Sequence, residues 1–306
     1  MTIQDKENAL FKEWIQHEKK WTGFSEEYLN GHFCWDGLHF TGRPSDPQEG
    51  DDNHYWRIMD GDGKQDEIWA KAFIKPVFLC KDHNGDEAVD EREETGYSNE
   101  TFYHRFYGKY LMLLYALTNY DPVTRSFPPI EEAWDRDNCW LGEKGFFHAP
   151  VVRINLKKVS GCASCSNYEL DKYIKNDFAY ITRQKDIYEG ANVFICCHGG
   201  ETCNPIMDLL KEKWFPGLKL YKDSRFLWYD EQKKVVVLHE WHMSAPSVSY
   251  EEYYSAVDEL HEFLNEYPDF IRENMIQLDG SGYGDPGSNP ADAHESPDRD
   301  EMVSGY

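Results

Sequence analysis

The sequence lacks any run of about 20 apolar residues, the length that a helix needs to cross a bilayer. We therefore expect no membrane-spanning segment. Residues 1–8 are charged and include no apolar signal region, which predicts a protein that is not exported and that resides in the cytoplasm. The chain also shows no internal repeat, so a repeat architecture is not expected.

Basic residues are scarce relative to acidic ones. The 306 residues include 32 Lys and Arg against 56 Asp and Glu, giving a formal net charge of −24. Nucleic-acid-binding proteins usually carry a basic stripe, because neutralising phosphates releases counterions. The long-range field of this chain should instead repel DNA. A role in nucleic-acid chemistry would therefore depend on a local basic patch or on a small ligand.

Cysteine is present eight times, which in a chain without a secretion signal predicts reduced thiols. The Cys-x-x-Cys spacing of Cys162 and Cys165 is an exception, because metal-binding cysteines also have this spacing. Together with Cys197 and Cys203 it can form a four-thiolate iron–sulfur or zinc site. The alternative is that Cys196 and Cys197 are small buried residues of a central strand. On balance we expect no cofactor and no metal.

Apolar residues make up 40% of the chain and aromatic residues 15%, enough for a substantial core. Four short apolar runs predict strands at 77–80, 151–156, 193–197 and 234–238. Helical spacing of apolar residues predicts helices at 8–20, 66–72, 99–118, 167–184, 205–213 and 250–267. This alternation predicts an α/β fold, a three-layer α/β/α sandwich with a mostly parallel central sheet.

The predicted domain covers residues 1–279 and includes an irregular segment at 22–63. From Gly280 the composition shifts to Gly, Ser, Pro and acidic residues, with six carboxylates against Arg299 alone. Such a segment buries too little apolar area to offset ordering, so 280–306 is predicted to be a disordered acidic tail. The sequence does not identify a protein partner for it.

Polar residues follow each predicted strand, and in open α/β sheets ligands bind at the carboxyl ends of the strands. Asp82 can orient or deprotonate a water, as hydrolysis of an N-glycosidic bond requires. Its alternative is a polar turn around Asn84 and Gly85. Asn155 carries a donor and an acceptor together, which suits the edge of a base. Its alternative is an amide that ends a strand.

His239 and His242 follow the last predicted strand. A neutral histidine can donate a hydrogen bond to a departing base and stabilise its negative charge. A His-x-x-His pair supplies only two of the ligands that a metal site needs, and the two side chains are predicted to point to opposite faces. A structural role for both remains the alternative. His198-Gly199-Gly200 can cradle an anion or simply form a tight turn.

Taken together, these strand ends resemble the uracil-DNA glycosylase superfamily, in one of its divergent bacterial branches. The resemblance covers residues 73 to 264 and depends on four segments. They are Phe78-Leu79-Cys80-Lys81-Asp82-His83-Asn84, Arg153-Ile154-Asn155-Leu156-Lys157-Lys158, the glycine-bearing strand end 193–200 and His242-Met243-Ser244. The chain departs from the family in lacking the proline after the motif histidine and the Pro-Tyr pair of the first motif.

The resemblance implies a DNA glycosylase-like hydrolase of DNA repair that flips a uracil-like or modified base out of DNA, including single-stranded DNA, and releases it. A nucleotide is the other ligand considered. Three sets of residues are implied: catalytic Asp82, Asn84 and His242; base-binding Asn155, His239, Tyr103 and Phe106; phosphate-binding Lys81, Lys157, Lys158 and Ser244. The alternative is a diverged module of the same fold that binds a base or nucleotide without turnover.

Overall fold

The computed structural model describes residues 1–43, 58, 61–83, 87–93, 105–160, 165–198 and 204–271. The predicted acidic tail at 280–306 lies outside these residues. The helices are α1 (Ile3–Thr22), α2 (Glu26–Asn30), α3 (Gln65–Lys71), α4 (Arg105–Thr118), α5 (Ile130–Ala133), α6 (Asn167–Ile187), α7 (Pro205–Leu209) and α8 (Tyr250–Glu266). Short π-helical turns occupy Asp137–Leu141 and Leu210–Trp214, and a 3₁₀ turn occupies Phe146–His148.

Nine strands form two sheets within the described part of the chain. They are β1 (Cys34–Trp35), β2 (Gly37–Leu38), β3 (Pro76–Asp82), β4 (Val89–Asp90), β5 (Val152–Lys157), β6 (Val193–Cys197), β7 (Lys219–Leu220), β8 (Leu227–Asp230) and β9 (Val235–Glu240). The large sheet has the order β2-β5-β3-β6-β9-β8-β7, and β1 pairs separately with β4. Strands β5, β3, β6 and β9 are mutually parallel, while β2, β8 and β7 are antiparallel to their neighbours.

Successive apolar side chains of the central strands belong alternately to two apolar layers. Phe78 and Cys80 of β3 belong to one buried cluster, and Val77 and Leu79 belong to the other. Successive side chains of a strand point to opposite faces of its sheet, so the two clusters lie on opposite sides. Every residue of β5 and β6 is buried, as expected for parallel strands covered on both faces.

Helices cover both faces of the sheet. Helices α4 and α8 contribute to the first cluster, and α1 and α6 contribute to the second. The start of α1 is fixed by a capping box, in which Thr2 and Asp5 satisfy each other's backbone N–H groups. Gly23 ends this helix with φ 78°, a left-handed conformation that glycine adopts without steric cost.

All four predicted strands are confirmed with shifts of one or two residues at their ends, and the sheet is mostly parallel as predicted. The predicted helices are confirmed wherever the structure describes them, although α4 is described only from Arg105 onward. The hairpin of β7 and β8 was not predicted. The segment at 22–63, predicted to be irregular, supplies α2, β1 and β2 within its described residues.

Candidate functional site

The strand order creates a switch point between β3 and β6. From β3 the chain crosses to β5 on one side, and from β5 it returns to β6 on the other side of β3. The connecting helices α4 and α6 pack on opposite faces, as right-handed crossovers require. Ligands of open α/β sheets bind outside the carboxyl ends of the strands at such a point. Lys81 and Asp82 close β3 there, and His198 follows β6.

Asp82 lies at this edge with its side chain only 8% exposed. Its carboxylate is 3.8 Å from the ammonium of Lys157, the residue it faces across the β3–β5 ladder. Burial raises the pKa of Asp82, an effect that the positive charge of Lys157 opposes. A raised pKa makes a carboxylate a stronger base, which suits the predicted role of accepting a proton from water.

A polar group links the ends of β3 and β6 to the start of α6. Lys81 Nζ is 3.4 Å from Asn167 Oδ1, and His198 Nε2 is 2.8 Å from the same oxygen. Asn167 is the first residue of α6, which is capped by the Ser166 side chain. The positive end of the helix dipole and the Lys81 ammonium therefore lie side by side, an arrangement that favours an anion.

His242 follows β9 and is half-buried. Its Nδ1 is 2.6 Å from Ser244 Oγ and 3.3 Å from the Ser244 backbone nitrogen. A backbone N–H can only donate, so Nδ1 accepts and the neutral ring carries its proton on Nε2. Burial, with a further contribution from Lys81, lowers the pKa of His242. The ring is therefore neutral at neutral pH and presents Nε2–H as a donor.

Phe106 of α4 is an aromatic neighbour of this histidine, with ring centroids 6.3 Å apart. The structure thus brings Phe106, His242 and Ser244 together. Lys81 acts electrostatically on both His242 and Asp82, which ties these three residues to one neighbourhood. We call Lys81, Asp82, Asn167, His198 and His242 the switch-point group.

His239 lies on the other face of the sheet, as the sequence predicts. Its Nε2 is 3.0 Å from Asn204 Nδ2, and Asn204 caps α7, which packs in the second apolar cluster. His242 instead contacts Phe106, which packs against the first cluster. The two histidines therefore do not converge on one metal ion or on one base.

Asn155 is 2% exposed and sits in a buried polar network. Its Nδ2 donates to Glu91 Oε2 at 2.7 Å, and its backbone N–H donates to Asp36 Oδ2 at 2.6 Å. Arg153 Nε lies 2.7 Å from Glu91 Oε2 in an ion pair. We call Asp36, Glu91, Arg153, Asn155 and Lys158 the β5 network. The amide nitrogen of Asn155 is thus already engaged within the protein.

Two predicted phosphate contacts need correction. Lys158 is fully buried and ion-paired with Asp36, so its ammonium does not reach a phosphate outside the protein. Lys157 is 3% exposed and pairs with Glu169 at 3.0 Å as well as with Asp82. Although burial opposes it, Glu169 and Asp82 raise the pKa of Lys157, which stays charged as an internal counterion. Lys81, which is half-buried, keeps access to a ligand.

Two of the four thiols considered for one cluster lie in different layers. Cys197 packs in the first apolar cluster and Cys165 packs in the second, on the opposite face of the sheet. Burial raises the pKa of both thiols, that of Cys165 to about 12. They are protonated, apolar-packed residues in this structure. Cys162, Cys203, Asn84, Tyr103, Gly199 and Gly200 lie outside the described residues.

Sequence reasoning missed the roles of Asp36, Glu91 and Arg153 in the β5 network and the burial of the polar residues of β5. Arg153, Asn155 and Lys157 alternate with Val152, Ile154 and Leu156 in a strand whose six residues are all buried. Polar alternation normally indicates a half-exposed strand. In a strand enclosed by β3 on one side and by helices on both faces, the same alternation indicates buried charges that need partners. Charged residues that alternate with apolar ones in an enclosed strand were therefore the sequence signal that could have revealed these buried charges.

A cavity of about 280 Å³ lies elsewhere, against α5 and α8. Its lining includes Phe127, Glu131, Tyr254 and His261, and none of the predicted site residues borders it.

No helix in the described ranges combines the length and the apolar character needed to cross a membrane.

No family model, no curated protein and no solved structure matches the chain.

Proposed function

We propose that the switch-point group binds a nucleobase and its sugar and hydrolyses the N-glycosidic bond between them, as in a DNA glycosylase. The fold proposed with it is that of the uracil-DNA glycosylase superfamily. The observation that carries the proposal is the contact of Ser244 with His242 Nδ1, from which we infer a neutral ring whose Nε2–H is the donor.

The roles follow from charge and position. Asp82 accepts a proton from a water whose oxygen attacks C1′ of the sugar. The C1′–N bond breaks and its electron pair leaves with the base. His242 Nε2–H donates to the base as its charge develops, and Lys81 adds a nearby positive charge. Phe106 lies beside His242, where an aromatic ring can stack on a base.

Base release from a panel of modified oligonucleotides and free nucleosides tests this proposal. Nucleosides belong in the panel because Lys157 and Lys158 are internal, which reduces the cationic surface that DNA would require. We expect Asp82→Asn to lower the release rate by about 10²–10⁴-fold. We expect His242→Gln to lower it by about 10²–10³-fold.

Matched controls are Asp223→Asn and His148→Gln, which change the same residue types at exposed positions far along the chain. Both should retain the rate of the unmodified protein. Since its pKa is lowered from 6.5, His242 keeps its neutral form to a lower pH than an ordinary histidine, and any loss of rate through its protonation should appear only below pH 6.5. Absence of base release from every substrate in the panel contradicts the hydrolytic role.

A second candidate is a module that binds a base or nucleotide without turnover. The Lys81 ammonium beside the start of α6 favours it, because this arrangement suits the phosphate of a nucleotide whether or not a bond is cleaved. Calorimetric titration with free bases and nucleotides distinguishes the two candidates. Binding without release, weakened in a Lys81→Met variant, supports the module; turnover of any ligand supports the hydrolase.

A further inference from the structure

Three metal-ligating side chains meet beside the β5 network. Sγ of Cys34, a ring nitrogen of His83 and a carboxylate oxygen of Glu91 all lie within 4.8 Å of one another. They come from three separate segments: β1, the residue after β3, and the residue after β4. Their donor atoms are a sulfur, a nitrogen and an oxygen, a combination found in zinc sites.

The backbone holds two of these residues in place. Cys34 faces Val89 across the β1–β4 ladder, and the Glu91 backbone N–H donates to the Trp35 carbonyl at 2.8 Å. His83 Nδ1 is 2.8 Å from Glu91 Oε1. Cys34 is fully buried, whereas the His83 side chain is 19% exposed. The arrangement is therefore rigid on one side and adjustable at the histidine.

Donors from outside the trio orient the carboxylate. Asn155 Nδ2 donates to Glu91 Oε2 and also lies 3.5 Å from Cys34 Sγ. Arg153 is ion-paired with the same Oε2 at 2.7 Å. These contacts fix Oε2 and leave Oε1 facing His83. In metal sites, hydrogen bonds to the ligand atoms set the orientation and strength of the ligands in this way.

The charges of the trio are also suited to a cation. Although burial acts to raise it, Arg153 and His83 lower the pKa of Glu91 to about 2, so the carboxylate is ionised. Burial and the negative charges of Glu91 and Asp36 raise the pKa of the Cys34 thiol well above 9. The thiol is therefore protonated in the metal-free protein, and a divalent cation would favour its thiolate form.

We propose that Cys34, His83 and Glu91 bind a divalent ion of the zinc class, with water as the fourth ligand. On binding, the S–H bond of Cys34 breaks, its proton leaves to solvent and a sulfur–metal bond forms. The proton that His83 Nδ1 donates to Glu91 Oε1 transfers through solvent to Nε2, so that the Nδ1 lone pair is free to bind the ion. All three donor atoms lie within 4.8 Å of one another and His83 Nδ1 lies 2.8 Å from Glu91 Oε1, so tetrahedral geometry requires only a local adjustment, which rotation of the half-buried His83 supplies. Asn155 and Arg153 act as positioning residues.

Titration of the metal-free full-length protein with Co²⁺ tests the proposal, with absorption spectroscopy as the readout. We expect one equivalent of Co²⁺ to produce a thiolate-to-cobalt charge-transfer band together with the visible bands of four-coordinate cobalt, and Zn²⁺ to displace it. One thiol proton should be released per ion bound, so affinity should rise with pH. A native protein that gives no charge-transfer band overturns the proposal.

Two variants and a control identify the ligands. Cys34→Ser should abolish the charge-transfer band, and His83→Gln should weaken Co²⁺ binding by at least tenfold while keeping a thiolate band. Cys139→Ser changes a buried thiol outside the trio and should leave the band unchanged. A band that survives Cys34→Ser, or one lost in Cys139→Ser, contradicts the assignment.

Because His83 is half-buried, His83→Gln should fold even where Cys34→Ser does not, and circular dichroism checks both. Unchanged affinity in a folded His83→Gln protein overturns the proposed ligand set. Every readout is made without a substrate, so the result is independent of whether the switch-point group hydrolyses a glycosidic bond.

Discussion

Glu91 and Glu240 are both buried at the ends of strands, with exposures of 5% and 0%, but they differ in their partners. Glu91 contacts Arg153, His83 and Asn155, and its pKa is lowered to about 2. Neither carboxyl oxygen of Glu240 has a hydrogen-bond partner among the residues that the structure describes. Burial, reinforced by Glu259, raises its pKa well above 4.5, although the nearby Trp241 backbone N–H and Arg225 oppose this.

The difference shows that, at similar burial, the partners decide whether an interior carboxyl group is charged. Around Glu91 the chain assembles a cation and several donors from distant segments. Around Glu240 it assembles apolar and acidic neighbours, so the group is kept neutral. The two regions therefore should respond in opposite ways to substitution and to pH.

Removing the cation of the β5 network should have the largest effect. Arg153→Met leaves the buried charge of Glu91 without its counterion, and we expect a loss of about 3–5 kcal/mol in the free energy of unfolding at pH 7. Urea denaturation measures it. In the unmodified protein the contribution of Glu91 is present above pH 4.5 and is lost as the pH falls toward 2, since its folded pKa is lowered.

Arg183→Met is the matched control, because Arg183 pairs with Glu13 on the surface at 2.8 Å with both side chains at least half exposed. Exposed pairs contribute little, so its unfolding midpoint should stay close to that of the unmodified protein. If Arg153→Met is no more destabilising than this control, the importance of the β5 network is contradicted.

Glu240→Gln should have an intermediate effect that depends on pH. The raised pKa of Glu240 means that the folded state holds its proton more tightly, so the unmodified protein loses stability as the pH rises above 4.5. The glutamine variant has no such dependence at this position. We therefore expect its stability, relative to the unmodified protein, to increase from pH 4 to pH 8 in denaturation curves. A constant difference across that range would count against a neutral Glu240.

Glu18→Gln should have the smallest effect on stability of the three substitutions. It extends the comparison to a buried carboxyl group that lies near a second carboxyl group. Glu18 is buried near Asp177, and burial together with that negative charge raises the pKa of Glu18 to about 10. A neutral amide of the same size should change stability by less than about 1.5 kcal/mol at pH 7, as measured by urea denaturation. A loss as large as that of Arg153→Met would indicate an ionised Glu18.

Much of the sheet could be predicted from sequence, because β3, β5, β6 and β9 are apolar runs that end in polar residues. The hairpin of β7 and β8 could not, because β7 has only two residues and Leu227–Asp230 shows no sustained alternation. The strand order was also out of reach, since β3 pairs with residues more than 70 positions away. Such pairings depend on crossovers that local patterns do not encode.

The candidate site was predicted in part. Lys81, Asp82 and His242 share one edge because parallel strands end together, which follows from pattern and fold class. Their neighbours Asn167 and His198 were not predicted as partners, because side-chain contacts across 31 residues leave no periodic trace. Asn155 was recognised as a polar strand residue, but its partner Glu91 lies in an acidic stretch with no pattern that distinguishes one carboxylate from the next.

The first forty residues form part of the buried interior of the protein. Strand β2 covers the outer side of β5, Asp36 supplies the counterion of Lys158, and Glu7 supplies that of Arg92. A chain that lacks residues 1–42 would expose the edge of β5 and leave the buried Lys158 without Asp36, and an exposed sheet edge favours self-association. Any shortened version of the chain should therefore retain this amino-terminal portion.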